Sequence, residues 1–234
     1  MKFDRYEKQY LQSYITILDS CYIDNIQETL LTTTNKDIMD KKKVTLKMLI
    51  SKFDNNSDMQ SEVLNFEKRY NVTLPKQYKE FLHKYNGGFT PKTKFKVGKI
   101  SSNIRNFYGI GNVKVNLETL GLNEWIDKGI LPIACDSFGN YIVIGLKSYN
   151  EGKIYFWNHE EGTKVDYIID DLFGFVDLCK SEKISDASKR TIKEREDALI
   201  AKGRGSIITD DLREMWQKEI DKYGNMNQEE VIMD

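Results

Sequence analysis

The sequence predicts an α+β fold in which helices pack on a mainly antiparallel sheet, with helical N- and C-terminal extensions. The apolar residues from Tyr78 to Tyr85 repeat at i, i+3, i+4 and i+7, the spacing of one buried helix face. A series of β-rich runs follows this helix. Two links between these runs, at 136–140 and 160–163, are too short for the crossover that parallel strands need.

The composition describes a folded, nearly neutral protein. Of the 234 residues, 40% are hydrophobic and 30% are charged, and the formal net charge is −1. This balance supports a packed core and gives no global field that attracts nucleic acid or a membrane surface. No apolar run approaches the roughly 20 residues of a membrane span, and the charged first residues do not resemble a signal peptide. We therefore expect a cytoplasmic protein without direct nucleic-acid or membrane binding.

The cysteines predict reduced thiols. Cys21, Cys135 and Cys179 are widely separated and have no Cys-x-x-Cys spacing. This pattern favours neither a disulfide framework nor a zinc site. We expect no metal and no cofactor.

Local signals place the helices. Residues 57–60 have the pattern of a capping box and predict a helix start, and Pro75 is suited to the first turn of the next helix. The run 86–88, Asn-Gly-Gly, predicts the end of that second helix. Shorter helices are expected at 116–125 and 171–180.

Runs rich in β-branched and aromatic residues predict five strands. They are 104–110, 130–135, 141–146, 153–157 and 164–169. The runs 142–144 and 154–157 do not alternate strictly with polar residues, so both strands are expected to be covered on both faces.

The same patterns divide the chain into three parts. Residues 1–43 form an N-terminal helical extension, 44–180 a central α+β domain, and 181–234 a C-terminal helical extension. In the last part, 203–206 breaks one helix and Thr209 opens another, which carries an apolar stripe. The extensions are suited to contacting a partner, covering the sheet or forming a homodimer, and helix spacing alone does not separate these cases.

Two blocks of the central part resemble the Smi1/Knr4-like (SUKH) superfamily. The first block is 66–70, Leu74-Pro75, Tyr78, Phe81-Leu82 and the Tyr-Asn-Gly-Gly run 85–88. The second is the Leu-Pro-Ile-Ala run 131–134, Asp136, the Phe-Gly-Asn run 138–140 and the strand 141–146. The order and spacing of the two blocks both match. The resemblance covers about 44–180 and implies helices packed on a bent antiparallel sheet.

The resemblance also implies a function. Bacterial members of this superfamily are commonly immunity proteins that bind toxins encoded beside them, many of them nucleases, and the superfamily has no shared catalytic centre. We therefore expect an immunity protein, or antitoxin, that neutralises a polymorphic toxin, in particular a basic nuclease domain, without catalysis. The alternative is a regulatory or scaffolding protein-interaction module of the Smi1/Knr4 type.

The sequence contains weak candidates for an enzyme. They are His83, His159, Cys135, Asp136, Glu160 and Glu161. The histidines lack metal-binding spacing, and the negative Asp136 disfavours a Cys135 thiolate. Asp136 and Asn140 are better explained as turn residues. We assign no catalytic residue and predict that the protein is not an enzyme.

A partner-binding surface is predicted near the last two strands. It combines acidic residues with the aromatic side chains of those strands: Tyr155, Trp157, Glu160, Glu161, Asp166, Tyr167, Asp170 and Asp171. A nuclease needs positive charge to hold phosphates, so an acidic inhibitor gains fast association, and aromatic anchors then hold the complex. The sequence alone does not distinguish this surface from scattered acids at turns.

Overall fold

Six helices occur in the part of the chain that the structure describes. The computed structural model describes residues 46–53, 58–162 and 164–233. The helices are α1 (Met59–Tyr70), α2 (Lys76–Tyr85), α3 (Asn123–Asp127), α4 (Leu172–Leu178), α5 (Ile192–Ile200) and α6 (Asp210–Tyr223). Short 3-10 turns lie at Leu117–Leu120, His159–Glu161, Asp186–Lys189 and Gly205–Ile207. None of the described helices combines the length and apolarity that a membrane span requires.

The strands form one antiparallel sheet. They are β1 (Leu49–Lys52), β2 (Gly88–Val97), β3 (Ile100–Phe107), β4 (Ile130–Cys135), β5 (Tyr141–Gly145), β6 (Ile154–Trp157), β7 (Val165–Ile169), β8 (Lys180–Ser181) and β9 (Glu229–Glu230). Their order is β7-β6-β5-β4-β3-β2-β1-β9, with β8 also paired to β2. Every pairing between these strands is antiparallel. The predicted α+β class is confirmed.

The corner between α2 and β2 is fixed by Asn86 and Gly87. The backbone of Asn86 adopts the left-handed conformation, with φ 46°, and ends α2. Its buried side-chain amide donates to the Ile110 carbonyl at 3.0 Å and accepts from the Ile110 N–H at 2.9 Å. A Cβ at Gly87 would lie 2.6 Å from the Gly109 nitrogen, so this close approach requires glycine. The predicted helix end is therefore confirmed, and it also joins α2 to the segment after β3.

One face of the sheet packs on the helices. In the ladder, Phe107 pairs with Ala134, Ala134 with Ile142, and Ile142 with Phe156, so these four side chains share a face. The Phe81 ring of α2 lies 4.9 Å from the Phe107 ring. Phe81 and the first three of these side chains belong to the buried hydrophobic core, and the half-buried Phe156 packs against it. The apolar run of β5 is buried as predicted, whereas in β6 only Ile154 is buried and the residues 155–157 are half-buried, so full cover of that strand was a wrong prediction.

Residues beyond 180 return to the sheet. Strand β9 pairs with β1, and the Val231 N–H donates to the Met48 carbonyl at 2.8 Å. Val231 is buried, and the Ile232 N–H donates to the Tyr85 hydroxyl at 2.8 Å. The segment 181–234, predicted as a helical extension, thus supplies an edge strand as well as α5 and α6. The extension predicted at 1–43 lies outside the described residues.

Several local predictions need correction. The first helix is capped by Asp58, whose carboxylate accepts from the Gln60 N–H at 3.1 Å, whereas Ser57 lies outside the described residues. The helix predicted at 116–125 is a 3-10 turn and the short α3, separated by Gly121 at φ 63°. Strands β1 and β2 were not predicted, because β1 is short and β2 carries Pro91 and alternating lysines.

Tyr78 provides a test of the core. Its ring is fully buried, and its hydroxyl has no hydrogen-bond partner among the described residues. A buried polar group without a partner costs about 1–3 kcal/mol. We expect Tyr78→Phe to raise the free energy of unfolding by about 1 kcal/mol in urea denaturation.

Tyr85→Phe is the matched control for this measurement. Tyr85 is also buried, but its hydroxyl bonds the backbone of Ile232. We expect this substitution to lower the free energy of unfolding by about 1 kcal/mol. Equal losses for the two variants would contradict the assignment of an unpartnered hydroxyl to Tyr78.

Candidate functional site

The face of the sheet opposite the core helices carries a cluster of aromatic side chains. We call it the aromatic face and define it by residues of α3, β5, β6 and β7: Trp125, Tyr141, Tyr155, Trp157 and Tyr167. Phe156 pairs with the core residue Ile142 and packs on Phe95, with ring centroids 6.2 Å apart, so its neighbours Tyr155 and Trp157 project to the other face. The aromatic face is thus a direct result of strand alternation.

Two groups of rings form the aromatic face. Tyr141 and Trp157 lie opposite each other in the ladder, with stacked rings whose centroids are 5.4 Å apart. Trp125 packs edge-on against both, at 5.6 Å and 5.1 Å. Tyr155 and Tyr167 form the second group, with centroids 5.9 Å apart. The two groups share one face of the sheet, because Tyr155 and Trp157 are two residues apart in β6.

Further contacts hold the first group in place. The Trp157 indole N–H donates to the Gly162 carbonyl, which joins the ring to the link between β6 and β7. The Lys128 ammonium lies 5.7 Å from the Trp125 ring centroid. These rings therefore form a preorganised platform.

A shallow pocket of about 340 Å³ adjoins the second group. It is lined by Lys128, Ile130, Tyr149, Asn150, Tyr155 and Val165. Tyr149 is 72% exposed and Tyr167 is 51% exposed. Exposed rings beside a concavity are typical of binding surfaces, because a side chain that fills this pocket would remove the Tyr149 and Tyr155 rings from water.

The predicted acidic residues do not all share this face. Phe156 pairs with Asp166, so Asp166 lies on the opposite face from Tyr155 and Tyr167. The Lys164 ammonium pairs with Asp166 at 3.0 Å and with Glu161 at 3.3 Å. Glu160 is exposed in the 3-10 turn between β6 and β7.

The two aspartates after β7 have different environments. Asp171 caps α4, and its carboxylate accepts from the Gly174 N–H at 2.7 Å. Asp170 is exposed. Interaction with the Asp170 carboxylate is the main reason that the pKa of Tyr167 is raised. Asp170 is thus the predicted acid that directly adjoins an exposed ring of the aromatic face.

The turn between β4 and β5 accounts for the enzyme candidates Asp136 and His159. The buried Asp136 carboxylate accepts from the Phe138 N–H at 2.8 Å, the Asn140 N–H at 2.9 Å and the Ser102 hydroxyl at 2.7 Å. The Asn140 side-chain oxygen lies 2.8 Å from His159 Nδ1. The predicted turn role of Asp136 is confirmed, and this network joins the two hairpin ends beside the aromatic face.

The described cysteines are buried free thiols. Burial raises the pKa of Cys135 and of Cys179, so the reactive thiolate is disfavoured at neutral pH. Cys21 lies outside the described residues. Within the described chain, no group of three or more His, Cys, Asp and Glu side chains has the arrangement of a metal site.

Sequence reasoning did not find every residue of this site. Trp125, Tyr141 and Tyr149 were not predicted to belong to it. Tyr141 was accessible to prediction, since it starts a strand and alternates with the core residue Ile142. Trp125 and Tyr149 reach the site through tertiary packing, which has no signature in local spacing.

Comparison with protein families finds a match for the chain. A family model described as SUKH_6, SMI1-KNR4 cell-wall, matches residues 60–176, which is half of the chain. The match spans both sequence blocks on which the resemblance was based. No curated protein and no solved structure is significantly similar to the chain.

Thiol reactivity tests the exclusion of Cys135 as a nucleophile. In a Cys21→Ser protein, we expect a disulfide reagent at pH 8 to label Cys135 and Cys179 at least about tenfold more slowly in the native state than in urea, because burial limits both access and thiolate formation. Absorbance of the released thiolate measures the rate. Rapid labelling of one thiol in the native protein would contradict this assignment.

Proposed function

Because the chain belongs to the SMI1-KNR4 (SUKH) family, we propose that it is an immunity protein that neutralises a toxin by binding it. The partner is a polymorphic toxin with a basic, nuclease-type catalytic domain, and the binding takes place in the cytoplasm. Neutralisation is stoichiometric. The immunity protein covers the toxin's active site or the surface beside it and carries out no chemistry.

The observation that carries this proposal is the aromatic face. Tyr155 and Tyr167 are in contact with each other beside a pocket and retain solvent exposure. Aromatic side chains lose little conformational entropy on binding and bury a large area, so they are enriched among the residues that dominate interface energies. A rigid sheet that presents such rings is suited to a stable, specific complex.

The charges around the aromatic face suit a basic partner. Glu160 and Glu161 lie at the link between β6 and β7, and Asp170 lies at the other end of β7. Lys164 offsets part of this negative charge through Glu161. Glu160 and Asp170 form no ion pair with a described residue. Acidic groups at the rim increase the rate of encounter with a cationic nuclease surface.

The surroundings of the enzyme candidates support binding without catalysis. The Asp136 carboxylate is used by its turn, and the Cys135 thiol is buried. His83 is exposed on α2, and His159 bonds the side chain of Asn140. These contacts leave no nucleophile beside a free general base among the groups considered.

A second candidate function is favoured by the description of the matching family. That description refers to the cell wall, which supports a regulatory or scaffolding module as the alternative. Such a module would use the aromatic face for several cellular partners rather than for one toxin.

Co-expression separates these two functions. The chain is produced with the toxin encoded beside its gene, survival is scored, and the two proteins are co-purified. Rescue together with a defined complex supports immunity by binding. Absence of both, with stable capture of several cellular proteins through the aromatic face, supports the scaffolding function instead.

Tyr167→Ala tests the aromatic face directly. We expect the dissociation constant of the toxin complex to rise by at least about tenfold, since a central aromatic anchor contributes more than about 1.4 kcal/mol. Calorimetric titration with a catalytically inactive toxin measures this change. Leu64→Ala is the control, because Leu64 is 58% exposed on α1 and lies outside the aromatic face. Equal affinities for the two variants would reject this surface.

Asp170→Lys tests electrostatic steering. We expect the association rate constant with a basic toxin to fall about three- to tenfold at low ionic strength, and the difference to shrink as salt increases. Asp177→Lys is the matched control, since Asp177 is exposed on α4 and the net charge changes equally. Asp171 is not suited to this test because its carboxylate caps α4. An unchanged rate and salt dependence for Asp170→Lys would count against steering by this acid.

A further inference from the structure

A second concavity lies between the β2–β3 hairpin and the end of α6. Its volume is about 440 Å³, within the range of small-ligand sites. It does not share a lining residue with the pocket at the aromatic face. We call it the basic cleft and define it by the five cationic side chains that line it: Lys92, Lys94, Arg105, Lys114 and Lys222.

The charge of the basic cleft is largely uncompensated. Asp221 is the single acidic residue among the lining residues. None of the five cations forms an ion pair with a described residue. Burial alone would raise the pKa of Glu219, but its bond with Arg195 at 2.7 Å and, to a smaller extent, the charge of Lys92 lower it. Five cations around one cavity repel each other and are stabilised by an anion that binds among them.

The backbone at Lys92 departs from regular strand geometry. The register of β2 shifts between Phe89 and Thr93, and Lys92 has φ 56°. The other described non-glycine residues with positive φ, Asn71 and Asn86, are helix C-caps, where this conformation is common. Bulges and left-handed residues cost free energy and recur beside functional sites, where they redirect side chains. Here the irregular segment lines the basic cleft.

Apolar side chains complete the basic cleft. Phe89, Tyr223 and Met226 are among its lining residues. The Lys114 ammonium lies 5.2 Å from the Phe89 ring centroid, and the Lys222 ammonium lies 5.0 Å from the Tyr223 ring centroid. Rings interleaved with cations can stack on a planar group while the cations hold its phosphates. A carboxylate-rich peptide would use the cations but would gain less from a compact cavity with aromatic walls.

We propose that the basic cleft binds a nucleotide unit, with the cationic side chains on its phosphates and Phe89 and Tyr223 against its base. This ligand chemistry has two sources, a free nucleotide and a single-stranded nucleic acid. The near-zero net charge of the chain does not oppose the proposal, because binding depends on the local field of the cleft. The site is independent of toxin neutralisation.

Calorimetric titration of the full chain tests the proposal. The probes are adenosine triphosphate, adenosine, inorganic tripolyphosphate and a twelve-residue oligothymidylate. We expect saturable binding of adenosine triphosphate that weakens with salt, weaker binding of tripolyphosphate, and no measurable binding of adenosine. Tighter binding of the oligonucleotide identifies a strand as the source, and preference for the free nucleotide identifies a soluble metabolite. Absence of saturable binding of both adenosine triphosphate and the oligothymidylate at millimolar concentration overturns the proposal.

Substitutions locate the binding in the cleft. Arg105→Gln is expected to raise the dissociation constant of the tighter-binding probe by about tenfold, which is the effect of losing one hydrogen bond to a charged group. Lys99→Gln is the control, because Lys99 lies in the turn of the same hairpin outside the cleft. Tyr223→Leu is expected to weaken the binding of adenosine triphosphate more than the binding of tripolyphosphate, because only the former has a base to stack on the ring. Equal effects of Arg105→Gln and Lys99→Gln, or tripolyphosphate binding as tight as that of adenosine triphosphate, overturn the assigned roles.

Discussion

The two hydrogen bonds between the Asn86 side chain and Ile110 fix the end of α2 to the sheet, and the rest of the fold depends on this junction. They close the corner at which α2 turns into β2 and attach it to the segment after β3. A buried amide that lost these partners would cost about 1–3 kcal/mol for each unmatched group. The corner fixes α2 over the sheet, with Phe81 against Phe107. Because the helices of the core are committed to that face, the other face of β5, β6 and β7 is free for the aromatic side chains.

The aromatic face and the basic cleft use the same sheet for opposite chemistry. At one end of the sheet, the ladder between β6 and β7 places Tyr155 against Tyr167 and leaves acids at the strand ends. On the β2–β3 hairpin, an irregular register places Lys92 beside a cavity with Arg105. If both proposed sites bind their ligands, local fields decide the association, and the net charge of −1 does not reveal these fields because the opposite charges cancel.

Local chemistry made much of the fold predictable. The spacing from Tyr78 to Tyr85 predicted α2, and Asn86 followed by glycine predicted its end. Both signals depend only on residues that are close together in the chain. Partner choice between distant strands was not predictable, so β1 and β9 were missed. In the candidate site, the aromatic content of the last two predicted strands identified Tyr155 and Tyr167. Asp166 was wrongly grouped with them, because the choice followed its charge and did not apply the rule that adjacent residues of one strand point to opposite faces.

The pairing of β9 with β1 has a consequence for synthesis of the chain. The Val231 N–H bonds the Met48 carbonyl across almost the whole described sequence. Contacts this far apart form slowly because a long loop must close first. Until β9 has left the ribosome, the outer edge of β1 lacks this partner and is open to pairing with another nascent chain. Emergence of β9 is therefore the event that closes this edge against aggregation during synthesis.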